Sequence, residues 1–261
     1  MLNLMKSLFG LFTQKPLIPD RQKAHALIKT IFNRRSCRAF TDEDINDEDF
    51  NLILEAGCYA PSTANLQTWS FITFTRDEWR KIFDRSIPFH GARAIVICAD
   101  TCRNKQLLTE FSRTPFVSNT LSVFNAGIAA MNMNITAECL GIRSIMLSDT
   151  GMTGLLDFSC LRERLLLPQG VIPITTLVLG RSSETISIAP PRFGRNSVVM
   201  KNSYRACPRE ELEEWFDRMK VGFKLLYPFS DLSSKIAYYQ DKMETVEREL
   251  EKLFKKEKEN D

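Results

Sequence analysis

The chain has 261 residues, 35 Lys+Arg against 32 Asp+Glu for a formal net charge of +3, and 44% hydrophobic residues. That is enough apolar material for a sizeable core, and a charge so close to balance gives no global attraction to nucleic acid or to an acidic membrane. Seven cysteines without a CxxC pair exclude a disulfide framework or zinc ribbon, and two histidines exclude an HExxH metal helix. No apolar run approaches the roughly 20 residues of a membrane helix, so a cytoplasmic protein with no membrane span, no metal and no nucleic-acid partner is expected.

Along the chain, residues 1–23 place Leu4, Met5, Leu8, Leu11 and Phe12 at helical spacing with no small-residue cleavage site, the pattern of a packed amphipathic segment rather than a signal peptide. Pro16 and Pro19 separate it from a body expected over residues 24–228. Apolar periodicity predicts helices over Ala24 to Asn33 and Asp47 to Tyr59, and β-branched runs predict strands over Trp69 to Thr75, Ala94 to Ala99, Arg143 to Leu147 and Ile174 to Leu179. Between the second and third strands, Val117 to Cys139 is a long helix nearly free of charge, ended by Gly141 and expected to be central and buried. Helices and strands without regular βαβ alternation read as α+β, one mixed sheet covered by helices.

Residues 229–261 change character. Leu232, Ile236, Tyr239, Met243, Val246, Leu250 and Leu253 alternate steps of four and three, a heptad seam over three repeats. Such a helix lies on its own domain or pairs with a second subunit, and the spacing leaves both open.

The common nucleotide and hydrolase signatures are absent: no GxGxxG, no GxxxxGK[ST], no GxSxG. Two clusters carry chemistry. Arg34-Arg35-Ser36-Cys37-Arg38 gathers three guanidinium groups and a hydroxyl at a helix end, donors suited to a phosphate monoester or, more plainly, a solvated basic helix terminus. Ala60 to Trp69 is a proline-broken polar loop entering a strand, where Ser62, Asn65 and Gln67 offer amide and hydroxyl groups to a heteroaromatic edge or simply make a turn. Thr185 to Arg209 adds Arg192, Arg195, Lys201, Arg205 and Arg209 with no acidic residue.

Taken in order, Arg34 to Phe40 and Ala60 to Trp69 resemble the RRSxRxF and APSxxNxQxW segments of the FMN-dependent nitroreductase family. Asn125 to Ile142 is similar to that family's long helix ending in AExLGL, and Leu165 to Gly180 to its LxLPxGxxPxxxxxLG strand approach. The resemblance implies a three-layer fold with a central mixed, mainly antiparallel sheet flanked by helices. It also implies a homodimer with FMN at the subunit interface, and an oxidoreductase passing two electrons from NAD(P)H to a small organic acceptor such as a quinone or nitroaromatic.

Residue by residue, it implies that Arg34 and Ser36 hold the FMN phosphate, in a cofactor-binding segment that includes Arg35, and that Arg38 lies beside the flavin N1 edge. Arg195, with Arg192 as a companion, closes on the phosphate. Pro61, Ser62 and Asn65 reach the flavin from the other subunit, with Gln67 near it. No side chain is expected to be catalytic; backbone near Ser148, Asp149 and Thr150 is expected at flavin N5, where many relatives carry a glycine or a Glu-Gly pair. Asn125 and Met131 also stand where the family suggests acidic and amide residues. The alternatives are an FMN-binding sensor or a structural dimer of the same fold without efficient turnover. The heptad helix is expected to extend the dimer interface.

Overall fold

A computed structural model describes residues 18–108, 113–184 and 190–259. The apolar positions Leu4 to Phe12 lie outside the described residues, and so does the side chain of Leu253. The described residues fall into two compact units, drawn from Ala24–Glu184 with Lys242–Asp261 and from Met1–Lys23 with Thr185–Asp241.

The larger unit holds helices α1 (Ala26–Asn33), α2 (Asp47–Cys58), α3 (Arg76–Phe83), α4 (Cys102–Lys105), α5 (Pro115–Cys139) and α6 (Phe158–Arg164). Its strands are β1 (Trp69–Thr75), β2 (Arg93–Asp100), β3 (Arg143–Leu147) and β4 (Val171–Gly180), in the order β1-β2-β4-β3. All three pairings are antiparallel, and the expected mixed character comes down to one parallel bridge between Ser36 and Ser144.

Alternation along β2 explains the layers, because successive side chains of a strand point to opposite faces. Ile95, Ile97 and Ala99 enter one core with Phe50 and Ile53 of α2 and Ala126, Ala129 and Met133 of α5. Ala94, Val96 and Cys98 enter the other with Trp79 and Phe83 of α3 and Leu161 of α6. A strand apolar on both faces must be covered twice, so helices lie on either side of the sheet. Burial pushes the Cys98 thiol up to about 12, with Asp100 adding to the shift, so this cysteine is an inert core residue.

Two expectations need correction. β4 begins three residues before Ile174, through Pro173, which lacks the amide hydrogen a central strand needs. The register shifts between Ile97 and Cys98, opposite that proline, so a bulge accommodates the lost ladder bond. Helix α5 is buried on one face only: Ser122, Asn125, Ala129, Met133 and Ala137 face inward, whereas Val117, Leu121, Phe124 and Met131 are exposed. Those four, with half-buried Ile128, step by four and three, so α5 presents an apolar seam outward.

The smaller unit contains α7 (Arg195–Val198) and α8 (Arg209–Leu226), with Phe193 stacked on Trp215 at 4.3 Å between ring centroids. The last helix, α9 (Leu232–Glu259), crosses from one stretch of chain to the other at Lys242. The heptad seam has no single fate. Val246 is buried in the α2–α5 core of its own chain and Leu250 packs against that core, while Ile236 and Met243 are 44% and 54% exposed.

Candidate functional site

Helix α1 ends where the Arg34 amide closes on the Thr30 carbonyl, and the chain then runs extended along the sheet edge. Cys37 is fully buried and its amide donates to the Ser144 carbonyl at 2.9 Å, which pins the segment beside β3. Ser36, one residue before, is half-buried and Arg38, one after, is exposed. Among the described residues neither Arg34 nor Arg38 is in an ion pair. Arg35 is turned inward: its guanidinium donates to the carbonyls of Phe32 at 2.7 Å and Arg34 at 2.9 Å, caring for the orphan acceptors at the end of α1.

Behind this strip, Glu138 at the end of α5 pairs with Arg143 at 3.0 Å. Burial pushes the Glu138 carboxyl above its usual range, opposed by the positive charges of Arg143 and Arg34.

The loop after α2 is held in an unusual backbone shape. Ala64, Asn65 and Gln67 have φ of 51°, 57° and 49°, left-handed values that cost a non-glycine residue of order 1 kcal/mol each. The surroundings enforce it. Asn125 of α5, 1% exposed, accepts from the Thr63 amide at 3.2 Å and hydroxyl at 3.3 Å and donates to the Thr68 hydroxyl at 2.8 Å. From α4, Arg103 donates to the carbonyls of Gln67 at 3.2 Å and of Trp69, and Asn104 donates to that of Leu66 at 2.9 Å. Within the loop the Gln67 amide donates to the Ser62 hydroxyl at 3.0 Å.

The backbone is thus tied down while Pro61, Asn65 and Gln67 remain exposed. Such a loop is preorganised for contact, because its ordering entropy is already spent. A cleft of about 720 Å³ opens beside it, lined by Asn65, Gln67, Trp69, Phe71 and Arg103 among others.

Asn125→Ala is expected to leave the Thr63 donors and the Thr68 hydroxyl acceptor without their partner and destabilise the chain by about 1–3 kcal/mol, read from the urea midpoint at constant slope. An unchanged midpoint would mean the loop finds its shape without that amide.

At the C-terminal end of β3, Ser148 and Thr150 are exposed whereas Asp149 between them is 8% exposed. Arg34, Arg35, Ser36 and Arg38 thus run beside β3, Pro61 to Gln67 form a separate braced loop, and Ser148 to Thr150 form the turn that leaves β3. Arg192 and Arg195, both exposed, belong to the other unit, where Arg195 opens α7.

A family model described as the nitroreductase family matches residues 31–180. The chain belongs to the nitroreductase family. An FMN reductase (NADPH) of Bacillus subtilis is 28% identical over 188 residues, 68% of this chain and 74% of that protein. An NADPH-flavin oxidoreductase of Vibrio harveyi is 25% identical over 202 residues, 75% of this chain and 82% of that one. The solved structure of a B. subtilis nitroreductase, 22% identical, superposes with a TM-score of 0.71 over 88% of this chain and 98% of its own, which shows the shared fold.

In this nitroreductase the strip, the loop and the β3 turn all lie inside the matched span, and Arg192, Arg195 and α9 lie beyond it. Sequence reasoning missed Arg103 and Asn104, which sit on a four-residue helix with no motif, and Lys242, which bonds Asp149 and Asp157. Asn125 was visible as a departure from the family pattern, and its role is now plain: it braces the loop.

Proposed function

We propose that this nitroreductase is an FMN-dependent oxidoreductase passing two electrons from NAD(P)H to a small organic acceptor such as a quinone or nitroaromatic, as a cytoplasmic homodimer with the flavin at the subunit interface. The observation that carries the reading is the paired donor set: Arg34 and Arg38 on either side of Ser36, in no ion pair among the described residues, and a strained, braced loop presenting Asn65 and Gln67. Two guanidinium groups and a hydroxyl fit a phosphate monoester, and exposed amides fit the edge of a heteroaromatic ring. The names of the B. subtilis and V. harveyi relatives support the same cofactor and donor.

A bound FMN would supply the two-electron chemistry between the nicotinamide donor and the acceptor. The protein's own residues bind and orient. Arg34, Ser36 and Arg38 hold the phosphate and the electron-rich edge of the ring. The family resemblance alone assigns Arg195 and Arg192 to the phosphate, and Arg35 keeps the end of α1 closed so that its neighbours stay in register. Pro61, Ser62, Asn65 and Gln67 would meet the cofactor of the other subunit, and the Ser148 to Thr150 backbone would border its reacting edge. The outward seam of α5 supports a second copy, because Phe124 at 62% and Val117 at 56% exposure make an apolar stripe that water does not favour.

All seven cysteines are free, in keeping with a reducing compartment. Among the described residues no helix is long and apolar enough to cross a membrane.

The experiment is the absorbance spectrum of the purified chain saturated with FMN, followed by NADH and NADPH oxidation with a quinone and a nitroaromatic. One noncovalent flavin per chain with acceptor-dependent turnover is expected. Bound flavin without turnover would leave a binding protein, and a chain that takes up no FMN would end the reading.

A further inference from the structure

We infer that Lys242 is a positioning residue, which fixes the Ser148–Gly151 turn by holding Asp149 and Asp157 with one ammonium group and so sets the backbone that meets the bound cofactor. Lys242 Nζ donates to Asp149 Oδ1 and, at 2.7 Å, to Asp157 Oδ1. The two carboxylates are 8% and 13% exposed and the lysine 26%, so the group is largely withdrawn from water. Two largely buried carboxylates that share one ammonium depend on that cation, and it comes from a helix 93 positions beyond Asp149.

The remaining bonds carry this constraint into the turn. The Thr153 amide donates to Asp157 Oδ2 at 3.2 Å, the Thr153 hydroxyl to the Thr150 carbonyl at 3.1 Å, and the Leu156 amide to the Ser148 carbonyl at 2.9 Å. The ammonium is itself located by packing, because Val246 one helical turn on is 6% exposed in the core and Leu250 packs a turn beyond. Asp149 therefore stays buried while Ser148 and Thr150 on either side face outward. The acidic side chain at Asp149 is an anchor for its turn.

The flavin reading is needed for what the turn meets, not for what holds it, so the test reads the two separately. Full-length wild type, Lys242→Met, Lys242→Arg and Asp149→Asn are compared by hydrogen–deuterium exchange of residues 148–154, FMN binding, and steady-state NADPH oxidation with a quinone.

Lys242→Met is expected to exchange at least about tenfold faster in the turn with β2 unaltered. Its kcat should fall about tenfold or more, while the donor KM and the FMN Kd stay within about threefold. Lys242→Arg restores slow exchange and most of kcat. Asp149→Asn, which keeps the Lys242–Asp157 pair, loosens the turn in the same direction and decides the matter if the Met variant does not fold.

Unaltered exchange in the Met and Asn variants overturns the inference, and so does faster exchange with kcat intact, since a staple for α9 alone would lower Tm and leave turnover in place. Should wild type bind no FMN, the flavin reading fails, and exchange alone still decides whether Lys242 fixes the turn.

Discussion

Gly154→Ala is expected to destabilise the protein by roughly 3 kcal/mol, lowering Tm by about 6–12 °C for a chain of this size, and to disturb the Ser148–Gly151 turn at the same time. Gly154 is buried, and a Cβ there would lie 2.8 Å from the Ile174 carbonyl oxygen, 2.8 Å from Ser148 Cα and 3.1 Å from the Leu147 carbonyl oxygen. All three neighbours are backbone, so none can swing aside as a flexible side chain would. Something must shift, and it is either β4 or the turn that begins at Ser148. Calorimetry of the variant, with and without FMN, measures both effects. A Tm within about 2 °C of wild type would show that the turn yields at little cost.

Arg34→Ala is expected to weaken FMN binding about ten- to a hundredfold, the loss of a charge-assisted phosphate contact worth roughly 1.5–3 kcal/mol. Fluorescence titration of the apoprotein gives the constant, and an unchanged Kd would show that the guanidinium points away from the cofactor.

The same substitution changes the pH response of the fold. Glu138 titrates above its usual range in the folded chain, so between the unfolded and folded values the native state holds a proton that the unfolded state has released. Stability therefore falls as pH rises through that window. Arg34 is one of the charges holding that value down, so its removal widens the window and should steepen the loss of Tm on going from pH 4.5 upward. A parallel pair of Tm curves would contradict this coupling.

Much of the sheet was legible in the sequence because each strand is a β-branched or aromatic run with breakers at its ends; the predicted limits of β1 and β3 coincide with those observed. Pro173 hid the start of β4, since the bulge that tolerates it, at Ile174 between the Pro173–Cys98 and Thr175–Ile97 pairs, has no signature of its own. Helix α5 was misread for a physical reason: a face that packs on its own core and one that is apolar but exposed in the single chain have the same composition. The clusters at Arg34 to Arg38 and Ala60 to Trp69 announced themselves by residue type. What braces the loop and the turn after β3 did not, because the partners of Asn125 lie 57 and 62 positions earlier and the carboxylates joined by Lys242 lie 85 and 93 positions earlier. Spacing rules see along an element, and these contacts run across the fold.

The seat of Val246 has a consequence for how the chain is made. The core between α2 and α5 draws its first side chains, Ile45 and Phe50, from early in the sequence and Val246 from near its end. Domains ordinarily condense as their residues leave the ribosome, at about 5–20 residues per second. Here the α2–α5 layer has every strand of the sheet available once residue 180 is made, yet it lacks one of its apolar plugs until α9 emerges. A nascent or prematurely terminated chain ending before Lys242 leaves that seat open to water and the Asp149–Asp157 pair without its ammonium. Chaperones and proteases that survey unfinished proteins would meet a body whose α2–α5 core stays open to water until α9 emerges.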